Sequence, residues 1–167
     1  MNPDLSIHVL LRPLMPSVTS QCARLASQLG DKVSYPGSST YKLAEDSYFS
    51  AQEEELSPAC VVAPASSKDV AAALKILAGL RANFAVRGGG HTLNADAANI
   101  NSGVTINLRR MNTVTLNQDK SLVSIGGGAK WGEVYPHLDS SGVATSGGRV
   151  ADVGVGGLST GGKVHHT

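Results

Sequence analysis

Three consecutive glycines, Gly88, Gly89 and Gly90, stand between a short apolar run and a histidine, and they constrain this chain more than any other feature. The apolar residues 84–86 predict a strand, so the glycines begin where that strand ends. Glycines allow a sharp turn with positive φ and let successive backbone N–H groups point at one anion. The segment predicts a phosphate-binding loop with His91 at its edge. The alternative is an ordinary glycine-rich turn that carries an exposed histidine.

A second glycine-rich segment, residues 147–162, predicts another loop that approaches the same ligand. Two such loops can enclose one extended ligand that carries phosphate groups. Gly154 and Gly156 are followed by Ser159 where the dinucleotide fingerprint needs a glycine, which argues against an ordinary Rossmann site. The first loop departs from that fingerprint in the same way.

Residues 157–164 come close to the P-loop of nucleoside triphosphatases. Gly157, Gly162 and Lys163 match that motif, but Val164 stands where a magnesium-binding serine or threonine is required. A P-loop also needs a helix directly behind it, and three residues follow Val164 in this sequence. The sequence therefore argues against a nucleoside triphosphatase.

Length and charge exclude several classes of protein. The chain has 167 residues, of which 41% are hydrophobic, and this suits one compact domain with one or two small subdomains. The chain has 14 basic and 13 acidic residues, and the basic residues do not cluster, so we expect no nucleic-acid partner. Residues 7–15 are too short, and too interrupted by Arg12 and Pro13, to span a membrane. The compartment is left undecided.

The two cysteines and five histidines do not predict a metal site. Cys22 and Cys60 lack the spacing of zinc or redox motifs, and the histidines do not group with them. The cysteines can form one disulfide in an exported protein or stay reduced as small buried side chains. His165 and His166 are expected to be solvated residues at the terminus.

The first half of the chain predicts a strand–helix–strand unit. Ser17 caps a helix that ends at Gly30, and Ser66 caps a second helix that runs to Leu80. Strands are expected at 60–63 and 83–87, on either side of that second helix. Residues 35–57 predict a surface connection with one short helical turn, in which the acidic run 53–55 forms a solvated face.

The second half predicts a small, mainly antiparallel sheet with helices, which makes the fold class α+β. Residues 104–108, 113–116 and 122–125 alternate apolar and polar side chains and supply its strands. A helix is expected from Lys130 to Leu138, although Pro136 lies inside it. Trp131 and Tyr135 are four residues apart and are interpreted as core residues on one helix face.

These motifs, taken in order, resemble the vanillyl-alcohol-oxidase type of FAD-linked oxidases and, within it, the berberine-bridge-enzyme-like group, especially its fungal members. The resemblance covers residues 58–162 and rests on the segments 60–64, 87–92, 103–111 and 147–162. It implies that residues 58–167 are the N-terminal portion of a PCMH-type FAD-binding domain. Residues 1–57 then supply an N-terminal helix and a connecting segment.

The resemblance implies that the first loop wraps the FAD pyrophosphate and that His91 is bonded to the 8-methyl carbon of the flavin. Val150 stands where some members carry a second flavin-linked cysteine. Arg149 and Asp152 are expected to orient the second loop or to pair with each other. Cys22 and Cys60 resemble the disulfide pair of exported members. The candidate cofactor-binding residues are Val86, Arg87, Gly88, Gly89, Gly90, His91, Thr92, Gly148, Val153, Gly156, Gly157, Gly161 and Gly162.

By the same resemblance, the chain is the flavin-binding half of an FAD-dependent oxidoreductase. Such enzymes move a hydride from a small organic or secondary-metabolite substrate to the flavin, and molecular oxygen commonly reoxidises it. Relatives hold the substrate and the general base in segments after the second glycine run, so we assign no catalytic base here. The alternatives are a non-catalytic phosphate- or nucleotide-binding module and a fragment without a ligand.

Overall fold

The computed structural model describes residues 17–162. The sequence predictions at residues 7–15, Lys163, Val164, His165 and His166 lie outside this range. The helices and strands, in chain order, are α1 (Val18–Leu29), β1 (Val33–Ser34), α2 (Ser39–Glu45), α3 (Ala51–Glu54), β2 (Cys60–Val62), α4 (Ser67–Gly79), β3 (Phe84–Arg87), β4 (Val104–Asn107), β5 (Val114–Leu116), β6 (Val123–Ile125), α5 (Trp131–Asp139) and α6 (Val155–Thr160). Among these elements, no helix is long and apolar enough to cross a bilayer.

The larger sheet has the strand order β1-β2-β4-β3. Strands β2, β4 and β3 are parallel, whereas β1 pairs antiparallel with β2 at one edge. The sequence prediction that residues 104–108 open an antiparallel sheet is therefore wrong. All four residues of β4 are buried, as expected for a central parallel strand that is covered on both faces. The polar Thr105 tolerates this burial because its hydroxyl donates to Asn99 Oδ1 over 2.7 Å.

Helices α1 and α4 cover one face of this sheet and confirm the predicted strand–helix–strand unit. Ser17 and Ser66 accept hydrogen bonds from the backbone N–H groups of Ser20 and Asp69, so the predicted N-caps are confirmed. The core between the helices and the sheet is apolar, and Cys22 of α1 is joined to Cys60 of β2 by a disulfide. Residues on both sides of the predicted boundary at residue 58 thus contribute to the same apolar core.

The other face of the sheet is covered by the segment 39–54, which the sequence predicted as a surface connection. This prediction is wrong, because the segment contains the two helices α2 and α3. Glu53, expected on a solvated face, is fully buried, and its Oε1 accepts from the backbone N–H groups of Ala97 and Ala98, each over 3.0 Å. Glu45 is also buried and accepts from Asn99 Nδ2 over 2.7 Å. Backbone and amide donors thus replace part of the water that these carboxylates lose, while Glu45 Oε1 and Glu53 Oε2 have no hydrogen-bond partner among the described residues.

Strands β5 and β6 form the second, antiparallel sheet, as predicted. Helices α5 and α6 pack with it around Trp131, which is 5% exposed and stacks on Tyr135 with ring centroids 5.5 Å apart. The interpretation of this pair as core residues is confirmed. Asp152 pairs with Lys130 Nζ over 3.1 Å, so, of the two alternatives given for Arg149 and Asp152, their pairing with each other is not found among the described residues.

Candidate cofactor-binding site

Three glycine-rich loops meet at one place in the structure. The first follows β3, the second follows β6 and the third precedes α6. An ideal Cβ placed on Gly89 would lie 2.5 Å from both the N and the Cα atoms of Gly154. A Cβ on Gly156 would lie 2.6 Å from the carbonyl oxygen of Gly127. The loops therefore pack backbone against backbone at a distance that only glycine permits. Two of these loops were predicted from the sequence to bind the cofactor, whereas the third, residues 126–128, was not.

A cleft of about 290 Å³ opens between the first and the last of these loops. Within residues 17–162, the backbone N–H groups of Gly88, Gly89 and His91 donate no hydrogen bond to the protein. Gly157 faces open space, where a Cβ would meet nothing within 4 Å. Unpaired N–H groups along a cleft are suited to an anion such as a phosphate. The lining residues are Val86, Gly88, Gly89, Gly90, His91, Thr92, Ala97, Ala98, Val153, Gly154, Gly157 and Leu158.

His91 lies at the end of the first loop with its ring against Phe49. The two ring centroids are 3.8 Å apart and the ring planes differ by 18°. The His91 Nε2 atom is buried and has no hydrogen-bond partner among the described residues. His91 nevertheless lines both clefts of the site, so a ligand bound in either cleft would contact this residue.

A second cleft, of about 340 Å³, lies on the other side of the same loop. It shares Gly89 and His91 with the first cleft, and Lys130 and Asp152 supply an ion pair in its wall. The remaining lining residues are Ser47, Tyr48 and Phe49. One extended ligand can therefore occupy both clefts and pass His91 at their junction.

Arg87 ends β3 directly before the glycine loop, but its side chain points away from the clefts. Only 1% of the residue is exposed, and its guanidinium lies 3.8 Å from the centre of the Tyr48 ring. It donates to the carbonyl oxygens of Ala44 and Ser47 over 2.5 and 2.7 Å, and to the Ser47 hydroxyl over 2.9 Å. Arg87 thus fixes the start of the loop against the segment 44–48.

The loop at residues 126–128 is held by Arg109, whose Nη1 donates to the carbonyl oxygen of Gly128. Arg109 also forms a two-bonded ion pair with Glu133, at 3.0 and 3.1 Å. Burial opposes ionisation of Glu133. Hydrogen bonds from Arg109, from the Lys130 backbone and from Asn112 outweigh it and lower its pKa to about 2.

Acid is therefore expected to weaken this ion pair. The folded-state pKa of Glu133 lies below the unfolded value, so its contribution to stability is complete above about pH 4.5 and is lost as the pH falls towards 2. Urea unfolding of the wild type and of Glu133→Gln at pH 6 and pH 3 measures this contribution. The difference between the two proteins should shrink at pH 3, and an equal difference at both pH values would contradict the assignment.

The structure brings eight of the thirteen predicted site residues together around the first cleft: Val86, Gly88, Gly89, Gly90, His91, Thr92, Val153 and Gly157. The side chain of Arg87 lies elsewhere, packed against Tyr48. Gly148 packs on the Trp131 ring, Gly156 on Gly127, and Gly161 and Gly162 follow the end of α6. Sequence reasoning missed Gly154, Leu158, Ala97 and Ala98, and it gave residues 47–49 no place in the site.

Comparison with known proteins assigns a class to this geometry. A family model described as "FAD binding domain" matches residues 58–166, which is more than half of the chain. The chain belongs to the FAD-binding domain family. Its similarity to an FAD-dependent monooxygenase of Emericella nidulans is 41% identity over 144 residues, covering 85% of this chain and 30% of that protein. The chain thus spans about a third or less of the length of the curated relatives that it matches.

Solved structures show the same fold for this family member. The BBE-like 1 protein of Physcomitrella patens aligns with a TM-score of 0.69 at 20% identity, covering 80% of this chain and 29% of that one. A glucooligosaccharide oxidase of Acremonium strictum aligns with a TM-score of 0.67 at 27% identity, covering 83% and 29%. The FAD of that oxidase is a 6-S-cysteinyl, 8α-N1-histidyl FAD. The fold is therefore the α+β fold of the FAD-binding, BBE-like proteins.

The residues of the site suit FAD on physical grounds. The free N–H groups of the first loop match the negative charge of a pyrophosphate. The open space beside Gly157 gives the ligand a close approach to the backbone, and the His91 ring lines both clefts. The chain therefore has groups for both the charged middle and the aromatic end of an FAD molecule.

Proposed function

We propose that this chain is the flavin-binding part of an FAD-dependent oxidoreductase, with FAD bound across the two clefts that meet at His91. The observation that carries the proposal is the row of unpaired N–H groups at Gly88, Gly89 and His91, in a loop whose histidine lines both clefts. These N–H groups bind the pyrophosphate, since backbone donors in a glycine loop neutralise an anion without a side-chain charge. When bound, FAD supplies the two-electron redox chemistry.

The proposed role of His91 is a covalent bond to the flavin. One imidazole nitrogen would bond to the carbon of the 8-methyl group in place of one imidazole N–H bond and one methyl C–H bond. The two protons and two electrons released would pass to molecular oxygen and give hydrogen peroxide. A histidyl-linked flavin in the Acremonium strictum oxidase supports this role. Val150 has no nucleophilic atom, so we propose no second bond in the other loop.

The proposed substrate is a small organic molecule, and molecular oxygen is the proposed electron acceptor. This rests on the relatives, because several are named FAD-dependent monooxygenases and several structural neighbours are named oligosaccharide oxidases. We place the substrate-binding residues and the catalytic base in a further domain, as the sequence resemblance implies. The residues described in this chain are proposed to bind and orient the cofactor.

Replacing His91 by alanine tests the covalent bond. The wild-type chain, incubated with FAD and then denatured in acid, should retain flavin that is visible by absorbance and adds the mass of one FAD. His91→Ala should lose all acid-stable flavin, because alanine has no nucleophilic atom, while its far-ultraviolet circular dichroism stays unchanged. His137→Ala, which alters an exposed histidine on α5, is the matched control and should keep its flavin.

Two other results would contradict the proposal. Acid-stable flavin that persists in His91→Ala would show that the bond is made elsewhere. A wild-type chain that binds pyrophosphate or a nucleotide but takes up no flavin would identify a nucleotide-binding module instead. Isothermal calorimetry with FAD and with inorganic pyrophosphate separates these cases.

A further inference from the structure

Residues 47–50 lie between α2 and α3 and form hydrogen bonds with the cofactor loop. We term them the clasp. The backbone N–H of Phe49 donates to the carbonyl oxygen of Gly90 over 3.1 Å. The Ser50 hydroxyl donates to the carbonyl oxygen of Thr92 over 2.7 Å. These two bonds bracket His91 on both sides, so the backbone of that residue has little freedom to shift.

The Phe49 side chain then restrains the His91 ring itself. With centroids 3.8 Å apart and planes 18° from parallel, one face of the imidazole lies against the phenyl ring. Rotation about the side-chain bonds of His91 would break this stack, which is worth more than simple burial of the same area. The stack therefore covers one face of the imidazole and restricts the orientations of its two ring nitrogens.

The clasp is also fixed by contacts of Tyr48 with residues outside the stretch 90–92. The Tyr48 hydroxyl donates to the carbonyl oxygen of Ala98 over 2.9 Å, and the Arg87 guanidinium covers the Tyr48 ring. Tyr48 is 8% exposed, so its ring is locked in the interior. Phe49, one residue later, thus rests on a rigid base.

The exposure of Phe49 indicates that its main packing partner is the ring of His91 and not the core. It is 56% exposed, and it belongs to neither of the two apolar core clusters of the described residues. An apolar ring that stays exposed to water contributes little to the stability of the fold. Its extensive contact with His91 beside the cleft therefore gives it a specific place in the site.

We propose that Phe49 is a positioning residue that holds the His91 imidazole in the orientation needed for attachment of the flavin. This inference rests on the function proposed above. Phe49 does not touch the reacting carbon in this role. It reduces the number of orientations that the imidazole samples, and so raises the rate of bond formation within the FAD complex, apart from any contact with FAD that Phe49 makes as a lining residue of the second cleft.

The test compares Phe49→Leu and Phe49→Tyr with the wild type. Leucine keeps an apolar side chain of similar bulk but cannot stack, whereas tyrosine keeps the aromatic ring. The chain contains two phenylalanines, so Phe84→Leu, on the exposed face of β3, is the same chemical change away from the clefts. Flavin-free protein is mixed with excess FAD, and acid-stable flavin is followed over time.

Phe49→Leu should form acid-stable flavin about five- to tenfold more slowly, the factor expected when one aromatic stack is lost. The rates are compared at saturating FAD, with the dissociation constant before attachment measured by flavin fluorescence quenching, so that a change in affinity caused by the place of Phe49 in the cleft wall does not enter the comparison. Phe49→Tyr and Phe84→Leu should react at nearly the wild-type rate. An equal rate in Phe49→Leu at saturating FAD would overturn the inference.

A flavin-free measurement makes the result independent of the covalent bond. In nuclear magnetic resonance spectra of the unliganded chain, the ring protons of His91 should be shifted upfield by the Phe49 ring current. They should move downfield in Phe49→Leu but not in Phe49→Tyr, and unchanged shifts in Phe49→Leu would overturn the stack. If the wild type shows the shift but attaches no flavin, the proposed function fails and the positioning role fails with it. If the wild type attaches flavin and Phe49→Leu matches its rate, only the role of Phe49 fails.

Discussion

Replacing both Cys22 and Cys60 by alanine is expected to lower the free energy of unfolding by about 4 kcal/mol. The disulfide joins α1 to the central part of the sheet and closes a loop with a sequence separation of 38. A cross-link of that length removes many conformations from the unfolded chain, and both sulfurs lie in the apolar core. Alanine is preferred to serine here, because a buried hydroxyl would add its own cost.

Urea unfolding followed by circular dichroism measures this effect. The double variant should unfold at a lower urea concentration, and its melting temperature should fall by roughly 10 °C. The wild type treated with dithiothreitol is the control, since reduction breaks the same bond without changing any side chain. If neither reduction nor substitution changes the transition, the disulfide does not contribute to the stability of this fold.

Local signals explain why the helices α1 and α4 could be predicted from sequence. Ser17, Gly30 and Ser66 form cap hydrogen bonds with backbone groups only a few residues away. Such local interactions can be predicted from the sequence. Strand β4 was misread because its alternating pattern predicts one exposed face. The fold buries that face under the segment 39–54, and this is a tertiary contact that periodicity does not encode.

The cofactor loops were predictable for a similar reason. Glycine has few uses besides turns and close backbone approach, so the clusters at 88–90 and 147–162 stand out in the sequence. The partners of these loops do not stand out. Phe49 lies far along the chain from His91, and the acidic residues 53–55 look like a solvated run until Ala97 and Ala98 supply hydrogen bonds to Glu53.

The segment 39–54 therefore contributes more to the site than its composition suggests. It buries two carboxylates, covers one face of the parallel sheet and carries the clasp that restrains His91. Arg87 of β3 links this segment to the sheet directly, through its hydrogen bonds to Ala44 and Ser47. The integrity of the cofactor loop should thus depend on a residue that does not line either cleft.

Replacing Arg87 by methionine is accordingly expected to cost about 3–5 kcal/mol of folding stability, the range for loss of one partner in a buried charged network. The carbonyl oxygens of Ala44 and Ser47 would lose their donor inside the protein, and the Tyr48 ring would lose the cation above it. Burial raises the pKa of Glu45, and Asn99 and Arg87 oppose that rise. Without Arg87, the buried Glu45 carboxylate would also lack its facing positive charge.

The same substitution should weaken FAD binding, because Arg87 anchors the first residue of the loop whose N–H groups face the cleft. Arg87→Lys should be intermediate, since a lysine ammonium cannot reach both carbonyls and cover the Tyr48 ring at once. Arg24→Met, at an exposed position on α1, is the matched control and should unfold like the wild type. Urea unfolding and FAD titration of the three variants measure both effects. Wild-type stability in Arg87→Met would show that the segment 39–54 is held to the sheet without this guanidinium, whereas destabilisation with unchanged FAD affinity would separate the anchor from the cofactor loop.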